Sequence, residues 1–295
     1  MASGELSKRI AVAAVGVPAA LAVLYAGRWV TAGVLALVAA AGAAELYRLA
    51  EQRGVRPFHG LGIAAAAALV LWSAARPDIG SAGRGLWLIA FSLAMGGAVA
   101  AVWRRGVDGH PLAATAVTVF GSLVTGGALA YAVFLRELAG AGAPAWLGTA
   151  LVAYPITLAW FGDTFAYFAG RAWGRRKLMP SVSPGKTVEG ALANLVGTVL
   201  IGGVYAWLVF GAWLGLPIGV AAGAVGGAIL SPVAQVGDLA ESLLKREAGV
   251  KDSGRLLPGH GGVLDRVDSL LFAVPLAFWY LEALLPMWTE ALPWP

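Results

Sequence analysis

Cysteine is absent from the 295 residues, so neither a disulfide nor a thiolate metal site is available, and the redox compartment cannot be read from cysteine usage. Histidine is almost as scarce. His59, His110 and His260 stand too far apart for a local histidine-rich site, which argues against zinc and leaves carboxylates as the ligands for any hard, oxygen-seeking cation. Charge is sparse too: 13% of residues are charged against 59% hydrophobic, and the mean hydropathy is +0.76. That balance excludes an ordinary soluble domain. The glycine spacing of a P-loop is missing, and no parallel-sheet pattern exists to carry one, which excludes a conventional nucleotide-binding domain.

What the chain has instead is long apolar runs. A helix needs roughly 20 apolar residues to cross a bilayer, and runs near 10–27, 29–47, 58–75, 85–103, 112–135, 146–169, 189–211, 215–240 and 269–288 meet that need. The expectation is an all-α, polytopic integral membrane protein of about nine transmembrane helices. The first run, with Ala20-Leu21-Ala22, has some character of a signal peptide, but eight more follow and it reads as a retained helix. The chain carries a net charge of +5 and a pI of about 9.7. Placement decides what that means. With the N-terminus in the cytoplasm, every Lys and Arg except Arg28, Arg76, Arg84 and Arg136 falls on the cytoplasmic side, so the positive-inside rule explains the pI without nucleic acid. The C-terminus would lie outside.

No repeat or long linker divides the chain, so residues 1–295 read as one membrane domain. The first five runs hold few polar residues beyond Glu45, and residues 1–145 read as structural or interface helices. The last four carry Asp163, Glu189, Asp238 and Glu241 in or beside apolar sequence, which places the chemistry in 146–288. Gly219, Gly223 and Gly227 recur every fourth residue and predict close helix packing. Trp29, Trp87, Trp103, Trp146, Trp173, Trp213 and Trp288 sit near run ends, as interfacial anchors do.

A charge near the bilayer centre costs roughly 2.5 to 3.5 kcal/mol on insertion scales, so these acids need partners or water. On a helix Asp238, Glu241, Ser242 and Lys245 share one face; a plain solvated Glu241–Lys245 pair is the bland alternative. Asp265 and Asp268 lie one turn apart beside a Gly-Gly turn, where they serve either as helix N-terminal acids or as a cation site. Upstream, Ser183-Pro184-Gly185-Lys186-Thr187 forms a turn offering a lysine and hydroxyls to phosphate, and Arg171, Arg175, Arg176 and Lys177 precede it. Gripping lipid headgroups would explain that loop as well. Together the two loops place cations and carboxylates where a phosphorylated water-soluble molecule could meet a lipid, an arrangement suited to metal-assisted phosphoryl chemistry.

The stretch Ser242, Lys245-Arg246, Lys251-Asp252, Pro258-Gly259-His260-Gly261-Gly262, Asp265-Arg266 and Asp268 resembles the signature of the phosphatidate cytidylyltransferases, or CDP-diglyceride synthases. A second block of that family is similar to Asp163-Thr164, Tyr167, Gly170-Arg171, Gly174 and Ser183-Pro184-x-Lys186-Thr187-x-Glu189-Gly190; Gly185 departs from it where a basic residue is expected. The resemblance covers about residues 146–288. It implies cytidylyl transfer from CTP to phosphatidic acid, giving CDP-diacylglycerol and pyrophosphate, at a polar cavity on the cytoplasmic face of an inner membrane. It further implies magnesium held by Asp238, Asp265 and Asp268, with a second, monovalent cation such as potassium and a homodimer as open options. Lys186 and Ser242 would belong to the catalytic set, while Lys245, Arg246, Lys251, Arg266, His260 and Asp163 would serve substrate binding. Two rivals remain: a related transferase acting on another lipid phosphate, and a transporter, for which no inverted repeat is evident. The D-G-x-x-A-R motif of the CDP-alcohol phosphatidyltransferases is absent.

Overall fold

The structure, a computed structural model, describes residues 16–140, 142–255 and 261–284. Helices make almost all of it: α1 (Gly16–Tyr25), α2 (Arg28–Glu51), α3 (His59–Ala75), α4 (Ile79–Arg104), α5 (Pro111–Ser122), α6 (Ala128–Arg136), α7 (Ala145–Trp173), α8 (Val188–Tyr205), α9 (Val220–Glu247), α10 (Leu264–Val267) and α11 (Leu270–Leu284). Wide π-helical turns at Leu123–Gly127 and Ala206–Trp213 join α5 to α6 and extend α8. Among the described residues seven helical stretches are long and apolar enough to cross a membrane, and the two shorter apolar helices α1 and α3 occupy two further runs read from the sequence.

Start and stop signals are local. Asp78 caps α4 by accepting from the Ser81 amide, Thr187 caps α8 by accepting from the Gly190 amide, and Pro111 opens α5 at a position where its missing N–H costs nothing. Pro155, Pro232 and Pro275 lie inside α7, α9 and α11, as membrane helices tolerate when neighbours satisfy the freed carbonyls.

Two buried clusters hold the helices. One centres on Tyr154, Phe210, Phe134 and Leu281, the other on Tyr47, Val70, Val133 and Leu264. Leu264, from the signature stretch, is thus a core residue of the N-terminal helices. Tyr47 fixes that second cluster by donating to the Thr118 carbonyl at 2.7 Å.

Helices α7, α8 and α9 form an antiparallel trio. A Cβ at Gly162 on α7 would meet Asn194 and Thr198 on α8, while Gly223 and Gly227 on α9 abut the backbone of Gly202 and Thr198. The glycine stripe therefore does pack as read, except that Gly219 lies before the helix and meets nothing within 4 Å. Of the expected anchors, Trp29, Trp87, Trp103, Trp173 and Trp213 are exposed. Trp146 instead packs against the core, and Trp288 lies outside the described residues.

One element differs from the sequence reading. The segment around Lys186 is not a free turn but a strand, β2 (Ser183–Thr187), paired antiparallel with β1 (Lys177–Met179) in the register Lys177↔Thr187 and Met179↔Ser183. Glu189, in the first turn of α8, accepts from the Arg175 and Arg176 amides at 3.0 and 3.2 Å, so the chain leaving α7 is held extended and must fold straight back.

The basic loops gather at one end of the bundle. Arg105 donates to the Arg56 carbonyl at 2.8 Å, Arg53 to that of Glu247, and Arg246 to that of Val182 at 3.2 Å. We call this end the loop face.

Candidate active site

Beneath the hairpin, α7, α8 and α9 enclose a cavity of about 440 Å³ whose lining includes Asp163, Tyr167, Arg171, Ser183, Lys186, Thr187, Asn194, Gln235 and Asp238. Each helix contributes from the turns next to the loop face. The Lys186 ammonium reaches Asp238 Oδ2 at 2.5 Å, and Ser242 donates to Asp238 Oδ1 at 3.4 Å. Both members of the ion pair keep about 28% of their side-chain surface exposed, so they face the cavity and not the core.

A second polar cluster lies beside the first, on the neighbouring ridge of α9. The Lys245 ammonium sits between Glu241 and Asp265, 2.7 Å from Asp265 Oδ1. Asp265 Oδ2 also accepts from the Gly262 amide at 2.7 Å and from the amide and hydroxyl of Ser253, both at 3.0 Å. Asp268 accepts from the Ser269 amide at 2.6 Å.

The expected single face of α9 is therefore split between two sites. Asp238 and Ser242 serve the cavity, whereas Glu241 and Lys245 are buried against the signature loop, so their pair is not the solvated one the bland alternative required. Lys245 is committed to two carboxylates. Arg246 is spent on the Val182 and Val250 carbonyls, tying the hairpin to the loop. Lys251 and Arg266 are exposed on the loop face. Arg171 joins Lys186 as a cation lining the cavity. Pro258, Gly259 and His260 lie outside the described residues.

Among the described residues no group of three acidic or histidine side chains converges into a ready-made metal cage. Asp163, Asp238 and Asp268 are nevertheless close enough for their charges to interact. An oxygen-only donor set of this kind suits magnesium, which takes one or two carboxylates and completes its shell with water and phosphate oxygens.

The residue that sequence reasoning passed over is Glu45. Only 1% exposed, it reaches from α2 under the signature loop, where Oε1 accepts from the Val263 amide at 3.0 Å. Its Oε2 accepts from the Leu264 amide and the Ser253 hydroxyl, both at 2.8 Å. The signal was there: a lone acid inside an apolar run demands partners.

Fold and cavity define a class: a polytopic membrane protein with an acid- and lysine-lined cleft at one end of its helices. The chain belongs to the cytidylyltransferase family, whose sequence profile matches residues 7–284. It is 32% identical to a phosphatidate cytidylyltransferase of Synechocystis, an alignment covering 95% of this chain and 98% of the relative. It is also similar to the phosphatidate cytidylyltransferases of Haemophilus influenzae, at 45% identity, and Brucella abortus, at 47%. Those two alignments span 43% and 44% of this chain and 44% and 46% of theirs.

Proposed function

We infer that the protein transfers a cytidylyl group from CTP to phosphatidic acid, forming CDP-diacylglycerol and pyrophosphate in an early step of phospholipid synthesis. A phosphate oxygen of the lipid attacks the α-phosphorus of CTP; the new P–O bond forms as the bond to the β-phosphate oxygen breaks, and pyrophosphate leaves. The attacking oxygen is already ionised, so no strong general base is required, in keeping with a cavity lined by no histidine among the described residues. The observation that carries the reading is the Lys186–Asp238 pair, set with Asp163 and Arg171 in a cleft between three membrane helices.

Lys186 and Arg171 hold phosphate oxygens as charge shifts toward the leaving group, an electrostatic contribution strengthened by the low dielectric around the cleft. Lys245 and Asp265 keep the signature loop closed against α9. We propose that magnesium is held by Asp238 and Asp268, with water and phosphate oxygens completing its shell, while Asp265 stays engaged by Lys245, Ser253 and Gly262 and orders the loop beside them. When bound, the ion supplies charge neutralisation at the phosphates. The basic loop face suits an inner membrane with that face in the cytoplasm, where the nucleotide is found.

The test is purified protein with magnesium, CTP and phosphatidic acid. CDP-diacylglycerol and pyrophosphate should appear in equal amounts and only with the metal present. Acceptance of a different lipid phosphate with none of this product would overturn the assignment. In the same assay Lys186→Ala should lower kcat/KM roughly a hundredfold, the scale for losing one preorganised charge-stabilising group.

A further inference from the structure

Below the ion pair the cavity floor is polar where membrane helices are usually apolar. Asn194 on α8 is only 3% exposed. Gln235 donates to the Ser231 hydroxyl oxygen at 3.1 Å, and Ser231 lies 2.7 Å from Asn194 Oδ1. That chain has one direction. The serine oxygen takes the amide hydrogen of Gln235, its own hydrogen goes to Asn194 Oδ1, and the Asn194 amide nitrogen must then point the other way. No acceptor for it exists among the described residues, although Asn194 lines the same cavity as Lys186 and Asp238. An unpaired donor in a membrane interior costs several kcal/mol, so this one calls for a ligand or water.

Depth narrows the choice. Asn194 lies seven residues along α8 from its Thr187 cap, and its partner Ser231 seven residues along α9 from Asp238, so the free amide is about 10 Å below the phosphate-binding end at 1.5 Å per residue. Below it Thr198 donates back to its own helix, and the void that Asn194 and Ser231 share with Pro155, Leu158 and Leu230 holds only about 10 Å³, too little for more than one water. Along α8 and α9, Asn194 is the deepest side-chain donor without a protein acceptor among the described residues. Gly162 opposite has no side chain, and a Cβ there would strike the Asn194 amide.

We propose that Asn194, oriented by Ser231 and Gln235, is a lipid subsite that donates to an ester carbonyl of the diacylglycerol moiety, so that the cavity reads the glycerol-ester layer as well as the phosphate. This rests on a lipid phosphate being the acceptor. A nucleobase would also accept a hydrogen bond, but a polar base gains nothing from burial at that depth.

The experiment compares the diester phosphatidic acid with its diether analogue, which has the phosphate and chains but no carbonyls, using the full-length protein in mixed micelles. One neutral hydrogen bond corresponds to roughly three- to tenfold in kcat/KM, so the unaltered protein should favour the diester by about that ratio. In Asn194→Leu the ratio should fall to about one while the KM for CTP is unmoved; Asn194→Ala, which adds no bulk, should give the same ratio. A wild-type ratio of one, or a ratio that survives both variants, overturns the proposal. So does a raised KM for CTP, which would place the base there, or equal losses on both lipids in both variants, which would make Asn194 a packing residue. Failure of the wild-type protein to use either lipid would instead overturn the cytidylyl-transfer reading.

Discussion

Asp238→Asn should insert, fold and bind to the membrane as the unaltered protein does, yet turn over about 10²- to 10³-fold more slowly, a barrier increase of roughly 3 to 4 kcal/mol. Its carboxylate is partly open to the cavity and accepts from no backbone amide among the described residues; its partners are Lys186 on the cavity wall and Ser242 one turn along α9. Removing the charge therefore costs little fold stability but leaves the Lys186 ammonium without its partner and takes away a metal oxygen. Magnesium titration separates the two effects. A rightward shift of the magnesium requirement with unchanged thermal unfolding supports ligation by Asp238, while normal turnover in the variant would remove it from the site. Asp265→Asn should also lose turnover, by a different route. Its carboxylate accepts from one ammonium, two amides and one hydroxyl, and an amide group in its place would set N–H against donors it cannot satisfy. That variant should unfold at lower temperature than Asp238→Asn, a difference a thermal scan in detergent would reveal.

Much of this site was legible in the sequence because the signature residues are close together and their types are chemically costly. Asp238 could be picked out because an acid in apolar sequence requires a reason, and Asp265 and Asp268 by their spacing of one turn beside the Gly-Gly turn and their match to the signature. The all-α membrane fold followed from run length alone, and the loop-face clustering from the charge bias. Partner choice was not legible. Helical spacing put Asp238, Glu241, Ser242 and Lys245 on one face, but a face is wide enough to serve two sites, and only packing against α7 on one flank and the signature loop on the other decides the division. The strand at Ser183–Thr187 was hidden because its ladder depends on Glu189 pinning two amides before the hairpin. Arg246 looked like a phosphate ligand by charge, but its guanidinium is taken up by backbone carbonyls that no spacing rule locates. The resemblance to the family's signature ended near residue 146, which left α2 out of the site.

Glu45 corrects that omission, and its removal should have the largest effect on the order of the signature loop. Glu45→Ala leaves the Val263 amide, the Leu264 amide and the Ser253 hydroxyl without this acceptor in a region closed to solvent. Each orphaned donor costs about 1 to 3 kcal/mol, and loss of one member of a buried charged network about 3 to 5 kcal/mol in all. The two carboxylates beneath the loop divide its donors between them: Glu45 takes Val263 and Leu264, Asp265 takes Gly262 and the Ser253 amide, and the Ser253 hydroxyl lies between the two at 2.8 and 3.0 Å with one hydrogen to give. Neither acid can stand in for the other, because each reaches a different pair of amides. Glu45→Ala should therefore lower the unfolding midpoint, increase protease cleavage around Ser253 and reduce kcat sharply. Glu45→Gln, which keeps one carbonyl oxygen, should recover part of all three. Lys186→Ala, which removes a cavity cation and leaves the clamp intact, should lose activity with no gain in cleavage. If Glu45→Ala instead kept the protease pattern and the midpoint, α2 would be packing material and the signature loop would hold its shape through Asp265 and Lys245 alone.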